Sequence, residues 1–158
     1  MTDPRDRSFA DIEEGERLGP LHISVTQQHI NDYQEFLGHF DGADPDKRWL
    51  LGNNLHVDEE YSKRNMFGGL VGDGHQTIQY VTRLLTDHLP WGTLISGYST
   101  VDVKLTNPTR PNDEVEASGH VVGKFTENGR NYVLCEVQAS KQGGVTVAMG
   151  TIKAYVPR

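Results

Sequence analysis

Only one stretch of this chain has the pattern of a long helix, and most of the remaining apolar residues alternate with period two. From Gly74 onward Ile78, Val81, Leu84, Leu85 and Leu89 recur at spacings of three and four, which lines one face of a helix. Pro90 forbids its continuation. Beyond it the period halves. Val101, Val103 and Leu105 lead one strand, and Val115, Ala117 and Val121 a second. Val133, Cys135 and Val137 lead a third, and Val145, Val147 and Met149 a fourth. Such alternation predicts antiparallel strands covered on one side only. Asn128-Gly129 fits a two-residue type I′ turn, and Gln142-Gly143-Gly144 closes the following hairpin. The four strands are therefore expected to form a meander. Its apolar face needs a cover, and the single long helix is the one element long enough to supply it.

Upstream, 16–25 reads as an extended segment in which Pro20 marks an edge or a bend. Thr26 is suited to cap a helix of about eleven residues whose apolar face carries Ile30, Tyr33 and Phe36/Leu37, ended by Gly38. A polar loop at 39–54 follows, holding Asp41, Asp44, Asp46 and Trp49; structureless loops beyond ~12–15 residues are uncommon in compact domains and often functional. Asp58 caps a short helix over 59–64. Residues 1–8 read as a frayed end. A curved antiparallel sheet wrapped around one central helix is the hot-dog arrangement, an α+β fold, here expected as one domain spanning 1–158.

The bulk properties remove several classes of function. A formal net charge of −7 argues against nucleic acid or an anionic membrane as the main partner. No window approaches the ~18 apolar residues of a membrane span, and the polar N-terminus lacks the apolar core of a secretory leader. Cytoplasmic residence is the expectation. The one cysteine, Cys135, lies inside an apolar alternating run and reads as a buried small hydrophobe. The seven histidines show no His-x-x-x-His or His-Glu-x-x-His spacing, so no metal site is expected.

Three segments carry a family resemblance. They are Phe9-Ala-Asp-Ile-Glu-Glu-Gly-Glu near the start, Asn53-Asn-Leu-His-Val-Asp-Glu-Glu-Tyr-Ser-Lys-Arg-Asn-Met-Phe-Gly in the middle, and Asn107-Pro-Thr-Arg-Pro-Asn-Asp later. Together they resemble the MaoC-like dehydratases, the (R)-specific enoyl-CoA hydratase group. The most specific part is His-x-Asp-x-x-Tyr from His56, with Phe67-Gly eleven residues after that histidine. The resemblance implies a hydratase or dehydratase acting on an acyl thioester of coenzyme A or a carrier protein. It implies no cofactor beyond the thioester's own carrier, and a homodimer. The dimer also makes physical sense, because a second copy can satisfy an unpaired edge strand.

In that family the counterpart of His56, with an aspartate five residues earlier, positions and deprotonates the water that adds to the enoyl thioester. An imidazole with an unperturbed pKa of ~6.5 suits this work. This chain departs from the pattern at the aspartate: position 51 is Leu51, Asn53 matches the family asparagine, and Asn54 replaces the proline. Asp41, Asp44 and Asp46 could fold back to supply the carboxylate, or could be turn residues in water. A second departure is Val71-Gly-Asp-Gly-His-Gln, where the family commonly has Ile-Ala-His-Gly-Met-Leu. Asp73 thus stands at the start of the long helix. There it reads either as a helix cap favoured by the dipole or as a relocated carboxylate acting with His56 or His75. Gly74 matches the family glycine whose N–H stabilises the thioester oxygen as negative charge develops. The candidate site is therefore His56, Asp73 and Asn53 as catalytic groups, the Gly74 N–H as oxyanion donor, and His75 in substrate binding.

Two other readings stay open. Leu51 and the Asp73/His75 pair also suit a hot-dog thioesterase or a tailoring dehydratase or cyclase for a polyketide-type substrate. A non-catalytic chain that binds acyl groups or supports a partner subunit is the third. Lys63-Arg64 could meet the phosphates of coenzyme A or be a solvated helix end. The glycine-rich loop is no phosphate loop: it lacks the Gly-Lys-Ser/Thr ending, and Asp73 would repel a phosphate.

Overall fold

A computed structural model of the chain describes residues 3, 6–40 and 54–157. Five strands, β1 (Arg17–Ser24), β2 (Thr100–Leu105), β3 (Glu114–Glu127), β4 (Arg130–Lys141) and β5 (Val145–Val156), form one antiparallel sheet in the order β1-β3-β4-β5-β2. Among the described residues, three α-helices accompany it: α1 (Gln27–Phe40), α2 (Glu59–Lys63) and α3 (Gly74–His88). α3 touches all five strands. Its buried side chains Val81, Leu84 and Leu85 join Val121, Val133, Cys135, Ile152 and Ala154 of the sheet in one core. The helix ends as the sequence requires: the Leu89 N–H donates to the Leu85 carbonyl at 2.7 Å, and Pro90 cannot extend the ladder.

Three features of the sheet differ from the sequence expectation. First, only β3, β4 and β5 form a meander; β2 crosses to the far edge and pairs with β5, Val103 opposite Gly150. The connection through 106–113 contains Pro108 and Pro111 and is too long for a tight hairpin, so β2 and β3 are free to separate. Second, the β4–β5 ladder carries a bulge on β5: Ala139 pairs with Ala148 and Ser140 with Thr146, which leaves Val147 as the extra residue and shifts the inward phase of the strand beyond it. Val147 is buried as expected, together with Ala148, Ile152, Ala154 and Val156, whereas Met149, past the bulge, and Val145, at the start of the strand, are exposed. Third, the inward side chains of β2 reach beyond the cover of α3. Val101 stands opposite Ile152 and Leu105 opposite Ala148, yet both remain largely exposed.

β1 is an edge strand, as Pro20 suggested, and it bends at Gly19. That residue has φ +88°, and a Cβ there would come within 2.8 Å of Leu84 Cδ2 and 2.9 Å of the Ala117 carbonyl oxygen, so only glycine fits. Arg7 and Ser8, at the end of the stretch expected to be frayed, are anchored. Arg7 pairs with Glu16 at 2.5 Å and donates to the His88 and Asp11 carbonyls, and Ser8 precedes a single 3₁₀ turn, Phe9–Asp11.

α1 is capped as expected, with Thr26 Oγ1 accepting from the His29 N–H at 3.1 Å. It runs through Gly38 to Phe40. A lone glycine costs a helix only ~1 kcal/mol, too little to end it. Its buried face also differs: Ile30 and Gln34, one turn apart, point inward while Phe36 and Leu37 are exposed. Among the described residues no helix is long and apolar enough to cross a membrane.

Candidate active site

The junction between the glycine-rich segment and α3 is shaped from both sides. Asp73 caps α3 with extended backbone, and its Oδ1 accepts from the His75 N–H at 2.8 Å. Such a cap satisfies one of the orphan donors of the first turn. Gly72 donates its N–H to the Thr109 carbonyl at 2.8 Å, and the Thr77 and Thr109 hydroxyls meet at 3.3 Å. A Cβ on Gly72 would run into the Thr109 hydroxyl. Arg110 straps the same segment from outside, donating from Nη1 to the Leu70 carbonyl and from Nη2 to the Phe67 carbonyl at 3.2 and 2.5 Å.

His56 approaches from the turn before α2, which Asp58 caps by accepting from the Tyr61 N–H. The His56 Nδ1 lies 2.9 Å from the Val71 carbonyl oxygen. A carbonyl can only accept, so Nδ1 carries the proton and Nε2 of the neutral ring is the free lone pair. That nitrogen faces Asp73 Oδ2 at 3.6 Å. Asp73 is itself buried. Burial pushes its carboxyl upward, but the Gln34 amide, the His75 N–H and the neighbouring imidazoles outweigh this and hold it below the usual carboxylate range. Asp73 is thus ionised near neutrality and acts as an acceptor.

A cavity of about 280 Å³ opens beside this pair. Its walls are mostly apolar, from Leu55, Phe67, Val71, Leu105 and Pro108, and His56, Gly72, Gly74 and Thr77 also line it. The Gly74 N–H, at the first position of α3, has no acceptor among the described residues. A side chain at 74 would approach Leu105 Cδ1 to 2.7 Å, so a glycine fits most easily against that wall of the cavity. His56 and Gly74 thus line one pocket.

The remaining candidates divide. His75 has its side chain 83% exposed, with Nδ1 at 3.3 Å from Asp73 Oδ1. It is not among the residues that line the cavity. Asn53, Leu51, Asp41, Asp44, Asp46 and Trp49 lie outside the described residues. Lys63 pairs with Glu59 and Glu60 of its own helix, and Arg64 donates to the Glu60 carbonyl. Cys135 is buried, and burial pushes its thiol up to about 12, which leaves no thiolate at neutral pH. Among the described residues, no three metal-ligating side chains converge.

A five-stranded antiparallel sheet closed around one long helix, with a histidine, a carboxylate and an open helix N-terminus at the helix's entrance, defines a hot-dog protein. The chain belongs to the MaoC like domain family, whose model matches residues 52–143. Among solved structures it is similar to the MaoC-like dehydratase of Rhodospirillum rubrum, at 26% identity over 95% of this chain and 96% of that one, with a TM-score of 0.68. The unliganded (R)-hydratase PhaJ1 of Pseudomonas aeruginosa shares the fold at 18% identity, 96% and 86% coverage and a TM-score of 0.68. The HadBC (3R-hydroxyacyl-ACP dehydratase) complex of Mycobacterium tuberculosis does so at 13% identity, 90% and 96% coverage and a TM-score of 0.59. No curated protein sequence gives a match.

Proposed function

We propose that this chain adds water to a 2-enoyl thioester, or removes it from a 3-hydroxyacyl thioester, as a hydro-lyase. The observation that carries this reading is the 3.6 Å gap between His56 Nε2 and Asp73 Oδ2, at a cavity that His56 shares with Gly74. Two acceptors that close together suit one water molecule donating a hydrogen to each. Its oxygen lone pairs then face away from the pair, towards an acyl chain in the cavity. In hydration the water oxygen bonds to Cβ, and His56 Nε2 takes the proton that leaves it. The electrons of the double bond move through Cα onto the thioester oxygen, where the Gly74 N–H and the dipole of α3 stabilise the enolate. His56 then returns a proton to Cα from the same face, giving syn addition. Asp73 holds the second water hydrogen and stabilises the imidazolium in between. In this reading Asp73 takes the part of the carboxylate missing at Leu51, and Asn53 orients the water or His56.

Water, an imidazole, a carboxylate and an amide complete the reaction, so no cofactor is required beyond the substrate's own carrier. The reading includes a cytoplasmic location and a homodimer. Purified protein mixed with a panel of trans-2-enoyl-CoA esters is expected to bleach the absorbance of the conjugated thioester. Removing a general acid–base group generally costs ~10²–10⁴-fold in rate, and His56→Ala is expected to lose activity by that factor. Unchanged turnover in His56→Ala would sink the assignment. Release of free thiol, lost in Asp73→Asn, would favour the thioesterase reading instead.

A further inference from the structure

Behind the His56–Asp73 gap the polar groups close into a ring. The His56 N–H donates to Asn54 Oδ1 at 2.8 Å, and Asn54 Nδ2 donates to Gln34 Oε1 at 3.0 Å. Gln34 Nε2 then donates to Asp73 Oδ2 at 2.8 Å, the same oxygen that faces His56 Nε2 at 3.6 Å. The ring leaves no ambiguity in the amides. A backbone N–H can only donate, so Asn54 must present its oxygen to His56 and its nitrogen to Gln34. Gln34 must in turn present its oxygen to Asn54 and its NH₂ to Asp73. Gln34 is 7% exposed, on the face of α1 where helical spacing from Ile30 would place an apolar residue. A buried amide in that position requires partners, and both of its ends have them.

Resting on the hydratase reading, we infer that Gln34 is a positioning residue: through Asn54 on one side and Asp73 on the other, it fixes the relocated carboxylate as an anion at water-sharing distance from His56. In a family pattern where the carboxylate sits five residues before the histidine, both groups come from one loop. Here they come from the turn before α2 and the cap of α3, two elements with no covalent reason to keep register. A third element, α1, ties them together through one side chain. By donating to Oδ2, Gln34 also favours the charged form of Asp73 and leaves the other lone pair of that oxygen for a water. The described titratable groups that face Asp73 are His56 before α2, His75 on α3 and, from α1, the phenol of Tyr33.

The test is a pair of substitutions read in two ways. Gln34→Glu keeps the side-chain shape but replaces the donor with a second carboxyl, so Asp73 and the new group must share a proton. Gln34→Leu removes both polar ends. In each the Asp73 side-chain carboxyl, followed by carbon-detected NMR titration, is expected to titrate about one pH unit or more above wild type. The fall of kcat for enoyl-CoA hydration on the acid side is expected to become steeper than in wild type as Asp73 takes up its proton. Activity at neutral pH should fall roughly 10–100-fold, mainly in kcat and with little change in KM, as expected for a group that acts at the reacting centre rather than in binding. An Asp73 titration and a pH profile that stay in place in a folded Gln34→Glu protein would overturn the inference. So would a loss confined to melting temperature. Failure of the hydratase reading is separate and visible: wild type would not turn over any enoyl-CoA, while the carboxyl titration would still decide whether Gln34 holds Asp73.

Discussion

Asp113 illustrates how a single carboxylate can hold an active-site wall in place without approaching the chemistry. Its Oδ2 accepts from the Arg110 N–H at 2.8 Å and from Lys141 Nζ at 3.0 Å, and its Oδ1 accepts from Gln142 Nε2 at 2.7 Å. Burial raises its carboxyl, but these donors, Lys141 first, more than offset the effect and leave it depressed. A carboxylate depressed in the folded state stabilises above its unfolded pKa, near ~3.9, and that stabilisation disappears as pH falls through the folded value. Asp113→Asn is therefore expected to be less stable than wild type at pH 7, by roughly 1–3 kcal/mol from the loss of charged hydrogen bonds. The two proteins should converge in urea denaturation only below about pH 4; a constant difference across pH would contradict this. At this scale the sequence was legible where a residue type and its motif coincide. His56 and Gly74 stood out through the family resemblance, and Asp73 through its place as a cap carboxylate at the helix start. Gln34 was not, because its role depends on Asn54 and Asp73, 20 and 39 residues away, and no local pattern in α1 carries that information.

Secondary-structure elements show the same division. The long helix, its cap at Asp73, its stop at Pro90 and the turn at Asn128-Gly129, where both residues have positive φ, all follow from short-range rules. The partner of β2 and the phase of β5 do not. Strand pairing is settled by which edge is open once β3, β4 and β5 have formed, and one bulge at Val147 is enough to turn Met149 outward. The connection between β2 and β3 has a consequence for the site. Thr109 and Arg110, from the segment that resembles the family's Asn-Pro motif, hold the loop whose Val71 carbonyl orients His56. Arg110→Ala is expected to free the Phe67 and Leu70 carbonyls and loosen that loop. Losing charged hydrogen bonds of this kind costs about 1–3 kcal/mol, and for a chain of this length each kcal/mol lowers Tm by roughly 2–4 °C. Hydrogen exchange should accelerate most at the Gly72 amide, which donates to Thr109, while the amides of the β3–β4 ladder stay protected. Uniform acceleration across the sheet would assign Arg110 to global stability instead.

At the scale of the molecule, one group of exposed apolar side chains among the described residues lies between α3 and the end of β2. Trp91, Ile95 and Tyr98 are exposed in the connection, and Val101 and Leu105 follow at 43% and 47% exposure on strand positions that face the concave side. β2 is also a sheet edge, with backbone groups available to a second strand. An edge and an apolar face in the same place suit a second copy, which would extend the sheet and cover side chains that α3 cannot reach. Leu105 also lines the cavity, so closing this surface would complete the wall around the acyl chain and exclude bulk water from it. The purified chain is accordingly expected to sediment at twice the 17.7 kDa of one copy at micromolar concentration. Val101→Glu places a charge within that contact without touching the described cavity. It is expected to shift the sedimenting species to a monomer and to raise KM for the enoyl thioester more than it lowers kcat, because the His56–Asp73 pair would stay in place while the cavity lost its cover. A wild-type monomer at those concentrations, or a Val101→Glu protein that remains a dimer, would show that the surface serves something other than self-association.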